Sequence, residues 1–304
     1  MLVTSSIAEL REHLSRRRLP GVRVGLVPTM GALHDGHLTL MRDCRAQCHI
    51  VVATIFVNPT QFGPNEDLSR YPRTLDSDLE RCRAEGVDIV FTPANEEMYP
   101  GPTFLGININ TLAEHLCGTT RPGHFNGVLQ VVNKLFNIVQ PTDAWFGQKD
   151  LQQFILIQTM VREFNIPVQL HRAETVREHD GLALSSRNRY LSNEERALAP
   201  IFPKNLHDIV RQLQEQPIAD ASRNTPSEPF DETSVASAST PIADALKSAS
   251  ARLEAKGFKI DYLTVTDYQT LQPVWDVIRG QTYVLAGAVY LGKTRLIDNI
   301  IFQH

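Results

Sequence analysis

Residues 28–37 read PTMGALHDGH and combine the features of a phosphate site. A glycine-bearing turn follows the apolar run VRVGLVP and leads into a helical pattern. The free N–H groups and the dipole of a helix N-terminus both favour an anion at such a place. His34 and His37 lie three apart, so in a first helical turn they project to one side. Two imidazoles there suit charge that builds on phosphate oxygens. Lys149 stands between a short apolar run and another helical pattern, where its ammonium can reach a nucleotide phosphate. Ser185, Ser186 and Arg187 put two hydroxyls and a guanidinium in one run, and arginine suits bidentate phosphate binding. Gln61 and Gln153 carry amides that donate and accept at once, which suits a substrate with hydroxyls and a carboxylate. Each of these residues alone is as readily an ordinary surface group. Arg121 and His124 sit in a Gly- and Pro-bearing loop, either as turn residues with incidental charge or as a cation over phosphates or carboxylates. Asp76 and Asp78 could help hold a magnesium ion, but a first-turn carboxylate equally suits the helix dipole.

The elements that must position these groups are visible as period. Strands are expected at 22–28, 50–57 and 87–91, with helical spacing between them at Leu40, Met41, Cys44 and Cys48. TLDSDLERCRAEG predicts a helix with Thr74 or Asp76 near its start and Gly86 as its stop. A lesser strand is expected near 104–109. Val128, Val131, Val132, Leu135, Phe136 and Val139 mark an amphipathic helix; its valines are core, though one or two could wall an apolar substrate group. Short strands at 144–146 and 168–176 flank LQQFILIQTMVREF, a helix for which Asp150 is the candidate N-cap. Strands about 30 residues apart with helices between them predict βαβ units and a doubly wound, Rossmann-like parallel sheet over 1–176. A smaller α+β lid domain is expected over 177–304. There SNEE from Ser192 has the form of a capping box, and a helix is expected at 243–256. Strands follow at 259–266, 282–291 and 295–301, with a tight hairpin at Gly292 and Lys293. Between them, 217–241 holds eight Ser/Thr, four Pro and three large apolar residues, the composition of a disordered insertion.

With 304 residues, 42% hydrophobic and 21% charged, the chain has the composition of a soluble protein of one or two domains. A net charge of −4 provides no global basic field, so nucleic acid is not an expected partner. No run approaches a membrane span, and the N-terminus reads as a short amphipathic helix rather than a signal peptide. The four cysteines, Cys44, Cys48, Cys82 and Cys117, do not complete a zinc set and read as buried or semi-buried thiols of a reducing compartment.

With these residues in view, the chain resembles the pantoate–β-alanine ligase family, within the nucleotidyltransferases marked by HxGH. Beside HDGH, the resemblance rests on IFVNPTQFGPNEDLSRYPRT at 55–74, RPGHFNGV at 121–128, FGQKDLQQ at 146–153 and LALSSRNRYLS at 182–192. Gln148 stands where the family often has glutamate, and Leu184 replaces a frequent methionine. The resemblance implies an ATP-dependent ligase acting on pantoate and β-alanine through a pantoyl adenylate, with release of pyrophosphate and AMP. It implies Mg²⁺ with the triphosphate, a homodimer and cytoplasmic residence. His34, His37, Lys149 and Arg187 would be catalytic. ATP contacts would come from Thr29, Met30, Gly31, Ala32, Leu33, His34, Asp35, Gly36 and His37. Gly147, Gln148, Lys149, Asp150, Val176, Leu184, Ser185, Ser186 and Arg187 would add to them. Asn58, Gln61 and Gln153 would bind the acid.

Overall fold

The computed structural model describes residues 1–64, 66–215 and 240–304. These divide into two compact units, Met1–Arg177 with Leu184–Ser186, and Glu178–Ala183 with Arg187–His304.

The first unit is built on a six-stranded sheet in which every pairing is parallel. Its strands are β1 (Leu2–Thr4), β2 (Val24–Thr29), β3 (Ile50–Ile55), β4 (Ile89–Phe91), β5 (Asp143–Gly147) and β6 (Gln169–Ala173), in the order β1-β4-β3-β2-β5-β6. The most apolar strand, β3, has five buried residues in six and lies inside the sheet, as a strand covered on both faces must. Between the strands run α1 (Ile7–Arg17), α2 (Asp35–Gln47) and α3 (Leu75–Ala84), then two single turns, α4 (Asn95–Met98) and α5 (Cys117–Thr120). The long helices α6 (His124–Val139) and α7 (Leu151–Glu163) follow. The chain moves outward from β2 through β3 to β4, then returns to the other side of β2 as β5. Strand order therefore reverses between β2 and β5. In open α/β sheets the crevice beyond the carboxyl ends at such a reversal is where ligands bind.

The second unit pairs β7 (Phe258–Asp267), β8 (Thr282–Leu291) and β9 (Thr294–Gln303) antiparallel in sequence order. With them are α8 (Asn193–Leu198), α9 (Ile201–Gln214) and α10 (Pro241–Glu254). Phe202, Leu206 and Ile209 of α9, Ile242 and Leu253 of α10, and Val265, Leu285 and Val289 of the strands share one core. Ser192 and Glu195 close the capping box that SNEE predicts: Glu195 N–H donates to Ser192 Oγ at 3.2 Å, and Ser192 N–H to Glu195 Oε2 at 2.9 Å. The β8–β9 hairpin turns at Gly292, whose φ of +57° lies in the left-handed region.

Three expectations change. The segment 104–109 forms no strand, and Phe104 and Leu105 are 89% and 87% exposed, so its two largest apolar side chains lie in solvent rather than against a sheet. The three-residue edge strand β1 is too short to show a period and escapes sequence reading. Of the expected insertion 217–241, residues 217–239 lie outside the described residues. Its last two belong to α10: Thr240 is the N-cap, its hydroxyl accepting from Ala243 N–H, and Pro241 takes the first helical position, which needs no N–H. The thiols of Cys44, Cys48 and Cys82 are buried, and burial pushes Cys48 up to about 11 and Cys82 to about 12. No helix among the described residues is long and apolar enough to cross a membrane.

Candidate active site

The turn from β2 to α2 is forced into shape by two residues with positive φ, Gly31 at +80° and Ala32 at +51°. That conformation is unfavourable for alanine and needs support from outside the turn. Asp78 of α3 supplies it. Its carboxylate is 2% exposed and accepts from Ala32 N–H at 2.9 Å, Leu33 N–H at 2.8 Å and the Thr74 hydroxyl at 3.1 Å. Arg81, one turn further along α3, donates to the Leu33 carbonyl at 3.0 Å. Thr29 braces the other side: its hydroxyl donates to the Thr54 carbonyl at 2.6 Å and accepts from Gly31 N–H at 3.2 Å.

His34 is the N-cap of α2 rather than a member of its first turn, and His37 follows one turn on. Their ring centroids are 4.1 Å apart. A Cβ at Gly36 would stand 3.0 Å from two atoms of the His34 ring, so the glycine is the space into which that ring packs. His37 Nδ1 accepts from the His34 N–H at 3.3 Å. Burial first, then the neighbouring His34 and Lys149, push His37 down to about 3. The ring is therefore neutral at physiological pH, and with Nδ1 accepting, its proton sits on Nε2. His37 offers a neutral N–H donor, not a cation.

Lys149 and Asp150 lie in the single turn Gln148–Asp150 that leaves β5, and Lys149 Nζ is 3.5 Å from Asp150 Oδ2. β2 and β5 are paired neighbours, so the HDGH turn and the lysine turn leave the same end of the sheet on either side of the β2–β5 reversal. The acid-binding candidates divide. Gln61 is buried; its Nε2–H donates to Met30 Sδ at 3.2 Å, and its Oε1 accepts from Asn58 Nδ2 at 3.1 Å. A thioether is a weak acceptor, easily exchanged for a substrate oxygen. Asn58 is 1% exposed, with Nδ2 donating to Gln61 and to the Gly127 carbonyl at 3.1 Å. Its Oδ1 accepts from Tyr99 Oη at 2.8 Å and the Thr60 hydroxyl at 3.0 Å. Asn58 thus orients Gln61 and Thr60 with no donor left over. Gln153 is half-buried within α7. Its neighbour Gln152 is the one built in, joining the Leu112 and His115 carbonyls to Cys117 N–H.

Val176 and Leu184 meet through Leu184 N–H and the Val176 carbonyl at 3.0 Å. Leu184, Ser185 and Ser186 belong to the first unit, whereas Arg187 belongs to the second. Arg81 and Gln152 escaped sequence reading as parts of this site, and Asp78 entered it only as a magnesium candidate or a first-turn carboxylate, not as the support of the turn. For Asp78 a signal existed: it stands four residues before Cys82, on the buried face of α3.

A model of the pantoate–β-alanine ligase family matches residues 2–301. The chain belongs to that family. It is 46% identical to the pantothenate synthetase of Moorella thermoacetica, covering 100% of this chain and 99% of that protein. Among solved structures, pantothenate synthetase from Thermus thermophilus superposes with a TM-score of 0.81 at 41% identity, covering 99% of each chain. The pantoate–β-alanine ligase of Francisella tularensis, complexed with a β-γ ATP and β-alanine, superposes with a TM-score of 0.76 at 31% identity. It covers 99% of this chain and 97% of that one.

Mg²⁺ is implied by the family resemblance, and magnesium asks for oxygen ligands in near-octahedral array. Among the described residues no three His, Cys, Asp or Glu side chains form a metal-holding group, and the Asp78 carboxylate is occupied by three protein donors.

Proposed function

We propose that the chain condenses pantoate with β-alanine at the expense of ATP, through residues grouped at the β2–β5 reversal. A pantoate carboxylate oxygen attacks the α-phosphorus of ATP, and the bond to pyrophosphate breaks. The β-alanine amine then attacks the acyl carbon of the adenylate, forms the amide, loses a proton and expels AMP. The first nucleophile is already an anion, so positioning and charge stabilisation are the protein's tasks. Neutral His37, through Nε2–H, and the Lys149 ammonium meet the phosphate charge as it grows. His34 and the residues of the turn 29–37 line the same anion site, its Ala32 and Leu33 N–H groups being taken by Asp78, with Gly147, Gln148 and Asp150 beside Lys149. Gln61 and Gln153 hold the hydroxyls and carboxylate of pantoate, and Asn58 orients Gln61. Val176 and 184–186 complete the nucleotide contacts. Arg187 adds a further phosphate cation, and the adenylate is kept from water. Mg²⁺ enters as part of the substrate MgATP. The family resemblance also supports a cytoplasmic homodimer.

The observation that carries this reading is that the His34–His37 turn and Lys149 leave the carboxyl ends of the neighbouring strands β2 and β5, where the strand order reverses. Its test is single-turnover pyrophosphate release with pantoate and ATP. His37→Ala and Lys149→Ala each slow that step by roughly 2.7–4 kcal/mol, the range for one lost oxyanion donor, with little change in pantoate affinity. A near-normal rate in either folded variant removes that residue from the catalytic set. Gln153→Ala weakens pantoate and leaves ATP binding nearly intact; equal losses for both ligands by calorimetry would make it a nucleotide contact or a structural group.

A further inference from the structure

The loop residues Arg121 and His124, open to two readings in the sequence, are neither idle nor spare cations. Arg121 clasps Glu66 in a two-pronged pair, Nε to Oε1 at 2.7 Å and Nη2 to Oε2 at 2.6 Å. Its Nη1 lies 2.9 Å from His124 Nε2, and His124 Nδ1 lies 2.8 Å from the Gln61 carbonyl. A guanidinium can only donate and a carbonyl can only accept. Both contacts are satisfied at once only by a neutral His124 with its proton on Nδ1, accepting from Arg121 and donating to Gln61. A charged ring would point an N–H at the guanidinium. Burial, then the charge of Arg121, hold the ring in that neutral form by pushing it down to about 4, against the opposite pull of Gln61, Glu66 and Asp150.

The helix carrying His124 touches the Gln61 turn directly. A Cβ at Gly127, three residues on, would stand 2.2 Å from the Thr60 carbonyl oxygen and 2.7 Å from Gln61 N, so only glycine permits this approach. The turn Pro59–Gln61 is thus seated on α6 by Gly127 and Asn58, and tied at its last carbonyl by His124.

We propose that His124 is a positioning residue for the acid substrate: its Nδ1–H fixes the Gln61 backbone, and the Glu66–Arg121 pair fixes His124, so that the Gln61 amide is aimed before pantoate arrives. This rests on the reading that Gln61 binds the acid. An amide aimed in advance loses less freedom on binding. The effect falls on pantoate affinity and not on the displacement.

Steady-state kinetics of three variants test it. Asparagine places an amide N–H where Nδ1–H stood and keeps the bond to Gln61. Glutamine places a carbonyl near Nε2 and keeps only the bond to Arg121. His124→Ala and His124→Gln raise the pantoate KM roughly threefold to tenfold, the worth of one hydrogen bond, with kcat and the ATP KM changed less than about twofold. His124→Asn recovers most of the loss. Should the alanine variant fold poorly in a thermal melt, the asparagine–glutamine pair carries the comparison. The proposal is overturned if glutamine rescues and asparagine does not, if the ATP KM rises equally, or if no variant moves the pantoate KM. Gln61→Ala separates the two levels: a raised pantoate KM there with silent His124 variants defeats this inference alone. An unchanged KM in Gln61→Ala defeats the acid-binding reading beneath it.

Discussion

Asp78 and Asp143 are both buried carboxylates of the first unit, yet their partners differ in kind. Asp78 accepts from two backbone N–H groups and a hydroxyl, all neutral. Asp143 accepts from Arg23 Nε at 3.0 Å and Nη2, from His171 Nε2 at 2.8 Å and from the Thr142 hydroxyl at 2.6 Å. Asp143 opens β5, at the amino end of the parallel sheet; Asp78 grips the turn that leaves the carboxyl end of β2. The His171 ring stacks on Trp145 at 4.2 Å and 9°, so the amino-end network is sealed by an aromatic lid. The same side chain closes the sheet at one end and sculpts a ligand turn at the other. What separates the two jobs is whether the donors belong to side chains, which can be replaced, or to the backbone of the active turn, which cannot.

The largest effect expected from this contrast is that of Asp78→Ala. It leaves the Ala32 and Leu33 N–H groups without acceptors in a buried place, at about 1–3 kcal/mol each. It also releases a turn whose Ala32 sits at positive φ. A stability loss of roughly 2–6 kcal/mol by denaturant titration should accompany a fall of at least tenfold in pyrophosphate release by the fraction that remains folded. A variant that is destabilised yet adenylates at the normal rate would show that the turn keeps its shape without α3, and would erase the difference between the two carboxylates.

Asp143→Asn should lower the melting temperature by a few degrees and leave the per-molecule rate of pyrophosphate release unchanged. Its pH dependence follows from the partners. Burial alone would raise the Asp143 pKa, but hydrogen bonds from Arg23, Thr142 and His171 outweigh it and hold the group well below its ordinary 3.8. A carboxylate with a depressed folded pKa gives stability that is fully present above its unfolded value and is lost as pH falls toward the folded one. The gap in melting temperature between wild type and Asp143→Asn should therefore be constant above about pH 5 and shrink below about pH 4. A gap that persists unchanged through acid would mean that shape, not charge, matters at the amino end.

How far each network was legible in the sequence depends on the distance its contacts span. HDGH announced itself because strand, turn and helix are consecutive, and the Ser192 capping box because its partners are three apart. The carboxylate beneath the turn is 46 residues from Ala32, and no local spacing connects them. The four-residue step from Asp78 to Cys82 is a signal for the buried face of α3, but the sequence reading weighed Asp78 only as a magnesium candidate or as an exposed first-turn carboxylate suited to the helix dipole. Of two adjacent glutamines, Gln153 is singled out in the sequence by its place in a family block, and its role in binding the acid is a proposal; the structural task of Gln152 depends on the 112–117 segment, which carries no pattern. The strand expected at 104–109 shows the limit from the other side: its composition suits a strand, but a strand also needs a partner, and among the described residues the segment pairs with none. Thr240 and Pro241 were grouped with the polar stretch before them, although a threonine cap followed by proline is itself a helix start.

The smallest expected effect refines the contrast within Asp78's own shell. Thr74→Val removes the hydroxyl that donates to Asp78 Oδ2 but leaves both backbone donors in place. If the backbone pair is what matters, the loss is that of one hydrogen bond, about 0.5–1.5 kcal/mol, and pyrophosphate release stays within about twofold of wild type. The matched change at the other end, Thr142→Val, should cost more. Its hydroxyl donates to Asp143 and also accepts from Val24 N–H at 2.9 Å, so valine leaves that N–H without this acceptor. Denaturant titration of the two variants side by side ranks the hydroxyls, and the rate assay separates shape from stability. A Thr74→Val variant as slow as Asp78→Ala would transfer control of the turn from the backbone donors to the helix cap, and the proposed distinction between the two ends of the sheet would rest on Thr74 instead.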